Sequence, residues 1–338
     1  MAHKDNRQKG LKVRGAFAKV SIMEQTPTSF EYNDLYSGLR FALFPDHAEV
    51  TGVAESLFSV EVPAEVNGLP VTRIASHAFE GQAVPEVWLP DSVTEIAAYA
   101  FSDCAALQEI ELPKDLSVIG PYAFYHCKAL EAVTLHDALE DVDNAAFLAC
   151  ENLREMTLLA DHGNYGCLKP ILSELFHEVR VTFEDAEGRF SVVFPEYFIE
   201  YIELPEARVF DEDTHGSGRV YRKFFNGKTF DIASYDNHFT IACLKDSPAQ
   251  AGRVAVTRLL SPRGMIASAK ERYEAWLAAH VQEACLPFAA AGDEEALTYL
   301  INAGILKKDD LPVFLDAARK SGRVQTVVRL MQAARQMG

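Results

Sequence analysis

The segments AFSDCAALQEIELP (Ala100–Pro113), AFYHCKALEAVTLH (Ala123–His136) and AFLACENLREMTLL (Ala146–Leu159) repeat one pattern every 23 residues. Aligned on phenylalanine, Phe79, Phe101, Phe124 and Phe147 fall 22, 23 and 23 residues apart. Three residues on come Cys104, Cys127 and Cys150, and three further on Leu107, Leu130 and Leu153. A unit this short cannot bury its own apolar face, so copies must stack into a solenoid. Alternation in QEIELP turns Ile110 and Leu112 inward and Glu109 and Glu111 outward, and the following Pro ends the ladder because it has no N–H to donate.

The recurring cysteine admits four roles: metal ligand, disulfide partner, nucleophile, or wall of the unit. Zinc needs four convergent ligands, usually from CxxC pairs, and no CxxC occurs. Three cysteines in line cannot all pair, and a buried thiol lacks the access and lowered pKa of a nucleophile. A small apolar side chain at the inner corner, with its S–H on a neighbouring carbonyl, is the expected role of Cys104, Cys127 and Cys150, beside the ladder Phe79, Phe101, Phe124 and Phe147.

A period of 20–29 residues marks a leucine-rich repeat solenoid. The stretches LPDSVTEIAAYAFSDCAALQEIELP and LPKDLSVIGPYAFYHCKALEAVTL resemble the BspA-like leucine-rich repeat family, as does VEVPAEVNGLPVTRIASHAFEG (Val60 to Gly81), which carries an NGLPV insertion. FEYNDLYSGLRFALF and AEVTGV resemble the family's capping strands. The resemblance covers roughly Phe30 to Leu159, and His136 and Leu159 stand where Pro is usual. It implies a mostly non-catalytic protein that binds other proteins, often at a cell surface or after secretion.

Beyond Leu159 the period stops. Cys167 to Val179 reads as a short helix, and RVTFED and GRFSVVFP as strands about a D-A-E-G turn. From about Tyr235 the spacing of apolar residues is helical, over segments near 235–245, 248–260, 264–280, 281–291, 293–303, 309–320 and 322–336, broken at Ser-Pro, Ala-Gly and Ser-Gly. AGDEEALTYLINAG and SGRVQTVVRLMQAA start at glycines 30 residues apart, Gly292 and Gly322, and resemble degenerate ankyrin-type helix pairs. The expected architecture is an α/β repeat: a basic flexible arm (1–25), a capped short leucine-rich repeat solenoid (26–162), a mixed α/β connector (163–232) and a helical, ankyrin-like domain (233–338).

The net charge of −17 argues against a phosphate backbone or an anionic membrane as the main partner. The charge is uneven: residues 1–20 carry six Lys and Arg against Asp5, a net +5. No run approaches the ~20 apolar residues of a membrane span. Nor does an apolar stretch follow the charged N-terminus, so the reading is a cytoplasmic protein with reduced thiols, or a surface or secreted one if an export signal precedes this sequence.

No P-loop, G-x-G-x-x-G, H-E-x-x-H or G-x-S-x-G motif occurs, and the histidines lack metal-ligand spacing. No enzyme, metal or cofactor is expected. The strongest enzymatic alternative is THGSGRVYR, with His215, Ser217, Arg219 and Arg222, although neighbours in sequence rarely form a triad. The strongest binding candidate is the outward strand row of Trp88, Glu111, Thr134 and Thr157, flanked by Glu86, Glu109 and Glu155. An exposed Trp is a favoured anchor, worth ~2 kcal/mol or more once a partner covers it. The glutamates select a basic protein or peptide segment. The expectation is therefore a protein–protein recognition module, monomeric, with an adhesion or structural module as the alternative.

Overall fold

In this computed structural model, residues 30–34, 38–53, 59–204 and 209–337 are described; the basic arm lies outside them. Strands β1 (Phe30–Asp34), β2 (Leu39–Leu43) and β3 (Ala48–Val53) form an antiparallel meander. The first coil holds β4 (Val60–Glu61), β5 (Glu65–Val66) and β6 (Leu69–Ile74). The NGLPV insertion is a hairpin, with Asn67 and Gly68 both at positive φ joining β5 to β6. Later coils hold β7 (Val87–Trp88) and β8 (Glu95–Ile96), β9 (Glu109–Glu111) and β10 (Val118–Ile119), then β11 (Ala132–His136) and β12 (Asp141–Val142). Strand β13 (Glu155–Leu159) leads into helix α1 (Leu168–Glu174).

Two faces result. On one, β3, β6, β8, β10 and β12 run parallel in that order, with the meander as their cap. On the other, β4 pairs with β7, and β9, β11 and β13 pair in parallel. This second sheet runs past residue 162: β14 (Val179–Asp185) adds to β13 in parallel, and β15 (Gly188–Phe194) closes it antiparallel. The strand-closing Pro is last seen at Pro113 and the phased Cys at Cys150, but Val179, Val181 and Phe183 still point inward and are fully buried.

Between the faces stand the expected ladders. Phe79, Phe101, Phe124 and Phe147 stack at ring distances of 4.8, 5.1 and 4.9 Å. The thiols of Cys104, Cys127 and Cys150 each donate to a phenylalanine carbonyl of the preceding coil, those of Phe79, Phe101 and Phe124, at 3.0, 3.0 and 3.1 Å. Neighbouring thiols and burial push Cys104 well up, as expected for inert wall groups. The tight corners demand left-handed backbone at Tyr99 and Asp103, Tyr122 and His126, and Ala145 and Ala149. Each such residue costs roughly 1–2 kcal/mol. Stacking of His77 on Tyr99 and of Tyr99 on Tyr122, both at 5.0 Å, offsets part of that cost outside the core.

At Gly120 the backbone of the preceding coil comes close. A Cβ there would lie 2.8 Å from the Ala98 nitrogen and 3.0 Å from the Ala97 carbonyl carbon. Gly120→Ala is therefore expected to destabilise the protein by about 1–3 kcal/mol, read as a lower midpoint in chemical denaturation.

The end of the array is closed by one carboxylate. In earlier coils the amides of Tyr122 and Phe124 donate to the next coil's Asn144 and Ala146 carbonyls. In the last coil the equivalent amides, of Ala145 and Phe147, donate to Glu174 at 2.5 and 2.9 Å. The two oxygens of this α1 side chain replace two carbonyls of a coil that does not exist.

Strands β16 (Phe198–Leu204) and β17 (Val209–His215) form a ribbon, followed by α2 (Gly218–Tyr221) and the small hairpin β18 (Phe225–Asn226) and β19 (Thr229–Phe230). The helices are α3 (Ile232–Lys245), α4 (Pro248–Leu260), α5 (Ala267–Ala279), α6 (Val281–Ala291), α7 (Glu294–Asn302), α8 (Leu311–Lys320) and α9 (Val324–Gln336). Local chemistry sets their ends: Asp231 and Asp293 cap α3 and α7, and Ser247, Pro248 and Gln250 build a capping box on α4. Gly292 and Gly322 take φ of 80° and 70° just past α6 and α8, which accounts for their spacing.

The helices cover the last strand. The Tyr235 hydroxyl donates to the Val193 carbonyl at 2.6 Å and accepts from its amide at 3.1 Å, so the β15 edge is sealed by a side chain. Arg253 binds Glu178 through two bonds, and Arg263 reaches Asp185 at 2.6 Å. One apolar core runs from Leu39 in the cap to Leu330 in α9.

His177 sits at this junction, its Nε2 2.5 Å from the Leu153 carbonyl oxygen. Burial holds the imidazole below its ordinary value, outweighing that bond. Below the ordinary His value of ~6.5 the unfolded chain takes up a proton that the folded chain refuses, so this group removes stability as pH falls. His177→Gln is expected to flatten the loss of melting temperature between pH 7.5 and 5.5; an unchanged slope would contradict it.

Candidate functional site: the strand face

Strand register assembles the outward residues into rows. Glu61 lies beside Trp88. Glu111, Thr134, Thr157, Thr182 and Ser191 follow one another across β9, β11, β13, β14 and β15. The neighbouring row is Glu109, Ala132, Glu155 and Arg180. The inward residues between them, Val87, Ile110, Val133 and Met156, are buried and fix the outward set.

Trp88 is 52% exposed, so neither the capping meander nor the helices cover it. It borders a shallow depression of about 250 Å³, lined also by Glu86, Glu109, Glu111, Ala132 and Thr134. The depression thus gathers Trp88, Glu86, Glu109, Glu111 and Thr134. Glu155 and Thr157 lie further along, and Glu155 is engaged by Arg180 at 3.7 Å. The face changes along its length: acidic by β7 and β9, threonine-lined in the middle, and carrying Arg180 and Arg189 at its end. Thr182 and Ser191 are bonded to each other at 2.9 Å.

The residues of the THGSGRVYR loop engage separate partners. His215 stacks on Phe198 at 4.4 Å and meets Glu200 at 3.0 Å. Ser217 donates from its hydroxyl and its amide to Asp246, which follows α3. Arg219 binds Glu212 and Thr214. Arg222 is buried, and its guanidinium donates to the carbonyls of Leu172, His177, Pro195 and Gly218 at 2.6–3.0 Å. Burial pulls Arg222 down to about 10. No base–nucleophile contact between His215 and Ser217 is formed, and Arg222 fastens α1, β15 and α2 together.

Sequence reasoning missed the buried pair of Arg258 and Asp236. Two bonds of 2.8 and 3.0 Å join them, and the Tyr273 hydroxyl adds a third to Asp236 at 2.9 Å. Tyr165 and Arg263 likewise converge on Asp185. Among the described residues no group of His, Cys, Asp and Glu is placed to hold a metal ion, and no helix is long and apolar enough to cross a membrane.

No curated protein matches the chain. Similar solved structures include a leucine-rich repeat protein from Bacteroides capillosus, 28% identical over 39% of this chain and 99% of that one, with a TM-score of 0.35. A leucine-rich repeat protein of T. pallidum is 24% identical over 41% of this chain and 79% of its own, with a TM-score of 0.32. The pneumococcal vaccine antigen PcpA is 23% identical over 38% of this chain and 30% of its own, with a TM-score of 0.34. With its stacked coils and ladders of Phe and Cys, the segment 71–177 matches, in six copies, the family described as the BspA type leucine-rich repeat region.

Proposed function

We propose that this protein is a recognition module that binds an extended, basic protein segment along the strand face, with Trp88 as the anchor. The observation that carries the reading is the exposed indole beside Glu86, Glu109 and Glu111 in one depression. Apolar side chains of the segment cover the ring, and its lysines or arginines meet the carboxylates, which govern orientation and association rate more than affinity. Catalysis and a cofactor have no part in this reading. The helices, with the ankyrin-like units that start at Gly292 and Gly322, support the solenoid's end and offer a second surface. The protein acts as a monomer in the cytoplasm, or on a cell surface as the alternative.

The test uses a labelled peptide alternating lysine with leucine, and a control with glutamate for lysine. The basic peptide is expected to bind, and Trp88→Asp to weaken it about 30-fold or more, the equivalent of ~2 kcal/mol. Equal binding by Trp88→Asp would sink the strand face as the site.

A further inference from the structure

Helix α9 carries apolar residues on two sides, and the protein covers only one of them. Thr326, Leu330 and Ala333 are buried against the helical region. On the opposite side Val324, Val328 and Met331 are 73%, 49% and 43% exposed. Their spacing of four and three residues sets them in one row, and Arg335 continues it four residues on. At ~1.5 Å per residue the row from Val324 to Arg335 is about 17 Å long. A surface helix ordinarily sets polar residues opposite its buried stripe, so an apolar row in that place marks a contact surface. Its charge is unlike the rest of the chain. Residues 317–337 carry Arg319, Lys320, Arg323, Arg329 and Arg335 and no Asp or Glu, in a chain of net charge −17. The acids nearby are engaged, Asp316 by Lys320 at 2.7 Å and Glu294 by Arg329 at 3.6 Å. Among the described residues no carboxylate pairs with Arg323 or Arg335, which stand at the two ends of the row.

We propose that α9 docks an acidic amphipathic helix of another protein, whose apolar side chains pack among Val324, Val328 and Met331 and whose carboxylates meet Arg323 and Arg335. Ridges of one helix settle into the grooves of the other, and opposite charges at the flanks fix the register. A second copy of this chain fits less well, because two α9 helices set cation against cation with no acid from either to offset them. An anionic membrane attracts the arginines but repels the acidic body that carries them. The site shares no residue with the strand face and selects the opposite charge, so either one can fail without the other.

The experiment keeps the full chain. The probe is a fluorescent helical peptide of about 18 residues, with leucine on one side and glutamate on the flanks, long enough to hold a helix. Wild type is expected to bind it. Val328→Glu is expected to weaken binding by about tenfold or more, and Arg335→Glu by about threefold with a shallower salt dependence. Val328→Gln adds no charge at this exposed position, and is expected to weaken binding while leaving the melting temperature unchanged. A peptide with lysine for glutamate should not bind α9. Failure of wild type to bind the acidic peptide would overturn the proposal. Equal binding by Val328→Gln, or Val328-dependent binding of the lysine peptide, would do so too. A dimer in sedimentation that Val328→Glu dissolves would give the row to a second copy, and Val328-dependent flotation with phosphatidylserine vesicles would give it to a membrane; either overturns a protein helix as the occupant. Trp88→Asp is expected to leave binding of the acidic peptide unchanged, and its loss in that variant would move the peptide to the strand face and overturn the α9 site.

Discussion

Replacing Arg258 by leucine is expected to cost about 3–5 kcal/mol, because it strands the Asp236 carboxylate inside the helical region without its cation. Arg258 is fully buried. Burial alone would lower its pKa, but the bidentate carboxylate reverses this and raises it. The guanidinium also donates to the carbonyls of Ser261 and Arg263, fixing the loop between α4 and α5. The double variant Arg258→Leu/Asp236→Leu removes both charges and is expected to recover most of the loss, since a buried pair and its apolar replacement differ little. Equilibrium denaturation of the three variants measures this. A double variant as unstable as the single would show that the loop carbonyls, and not the stranded charge, dominate.

Arg222→Leu should be about as damaging and should have no such rescue. Its partners are backbone carbonyls of Leu172, His177, Pro195 and Gly218, which cannot be mutated away. The carbonyls of Leu172 and Gly218 keep the amides of Leu175 and Arg222 as donors, whereas those of His177 and Pro195 lose the guanidinium, at roughly 1–3 kcal/mol each. The expected net loss is on the order of 4 kcal/mol. Arg222→Lys should recover little, because one ammonium cannot span the directions that the planar fork serves. A lysine variant as stable as wild type would contradict this account. Ser217, through Asp246, and Arg222, through the Leu172 and Pro195 carbonyls, tie the THGSGRVYR stretch to the helices and to the solenoid's end.

The two arginines show what sequence can and cannot carry. Phe101, Cys104 and Ile110 were readable because each recurs at a fixed phase, and stacking gives every copy the same surroundings. Arg258, in AVTRLL, has no such reference. Its helix spacing is ordinary, and its burial depends on Asp236, 22 residues away and on another helix. Arg222 reads as part of a polar loop for the same reason: three of its four carbonyl partners, those of Leu172, His177 and Pro195, lie 50, 45 and 27 residues away. The continuation of the sheet into β14 was hidden by the loss of Cys and Pro, while the inward alternation persisted. Trp88 was placed on the outward row by the alternation alone. Its exposure followed only from where the cap strands went, which is to the opposite sheet.

Glu174 has a consequence for how such arrays change length. Every coil presents its neighbour with the same amides and carbonyls, and the terminal carboxylate answers whichever coil comes last. A whole 23-residue unit duplicated between Pro113 and His136 would leave both ends their existing partners. Deletion of one would do the same. Growth by copying thus needs no new terminus to be invented, and each copy would lengthen the ligand track by ~4.8 Å, with its outward side chains free to diverge.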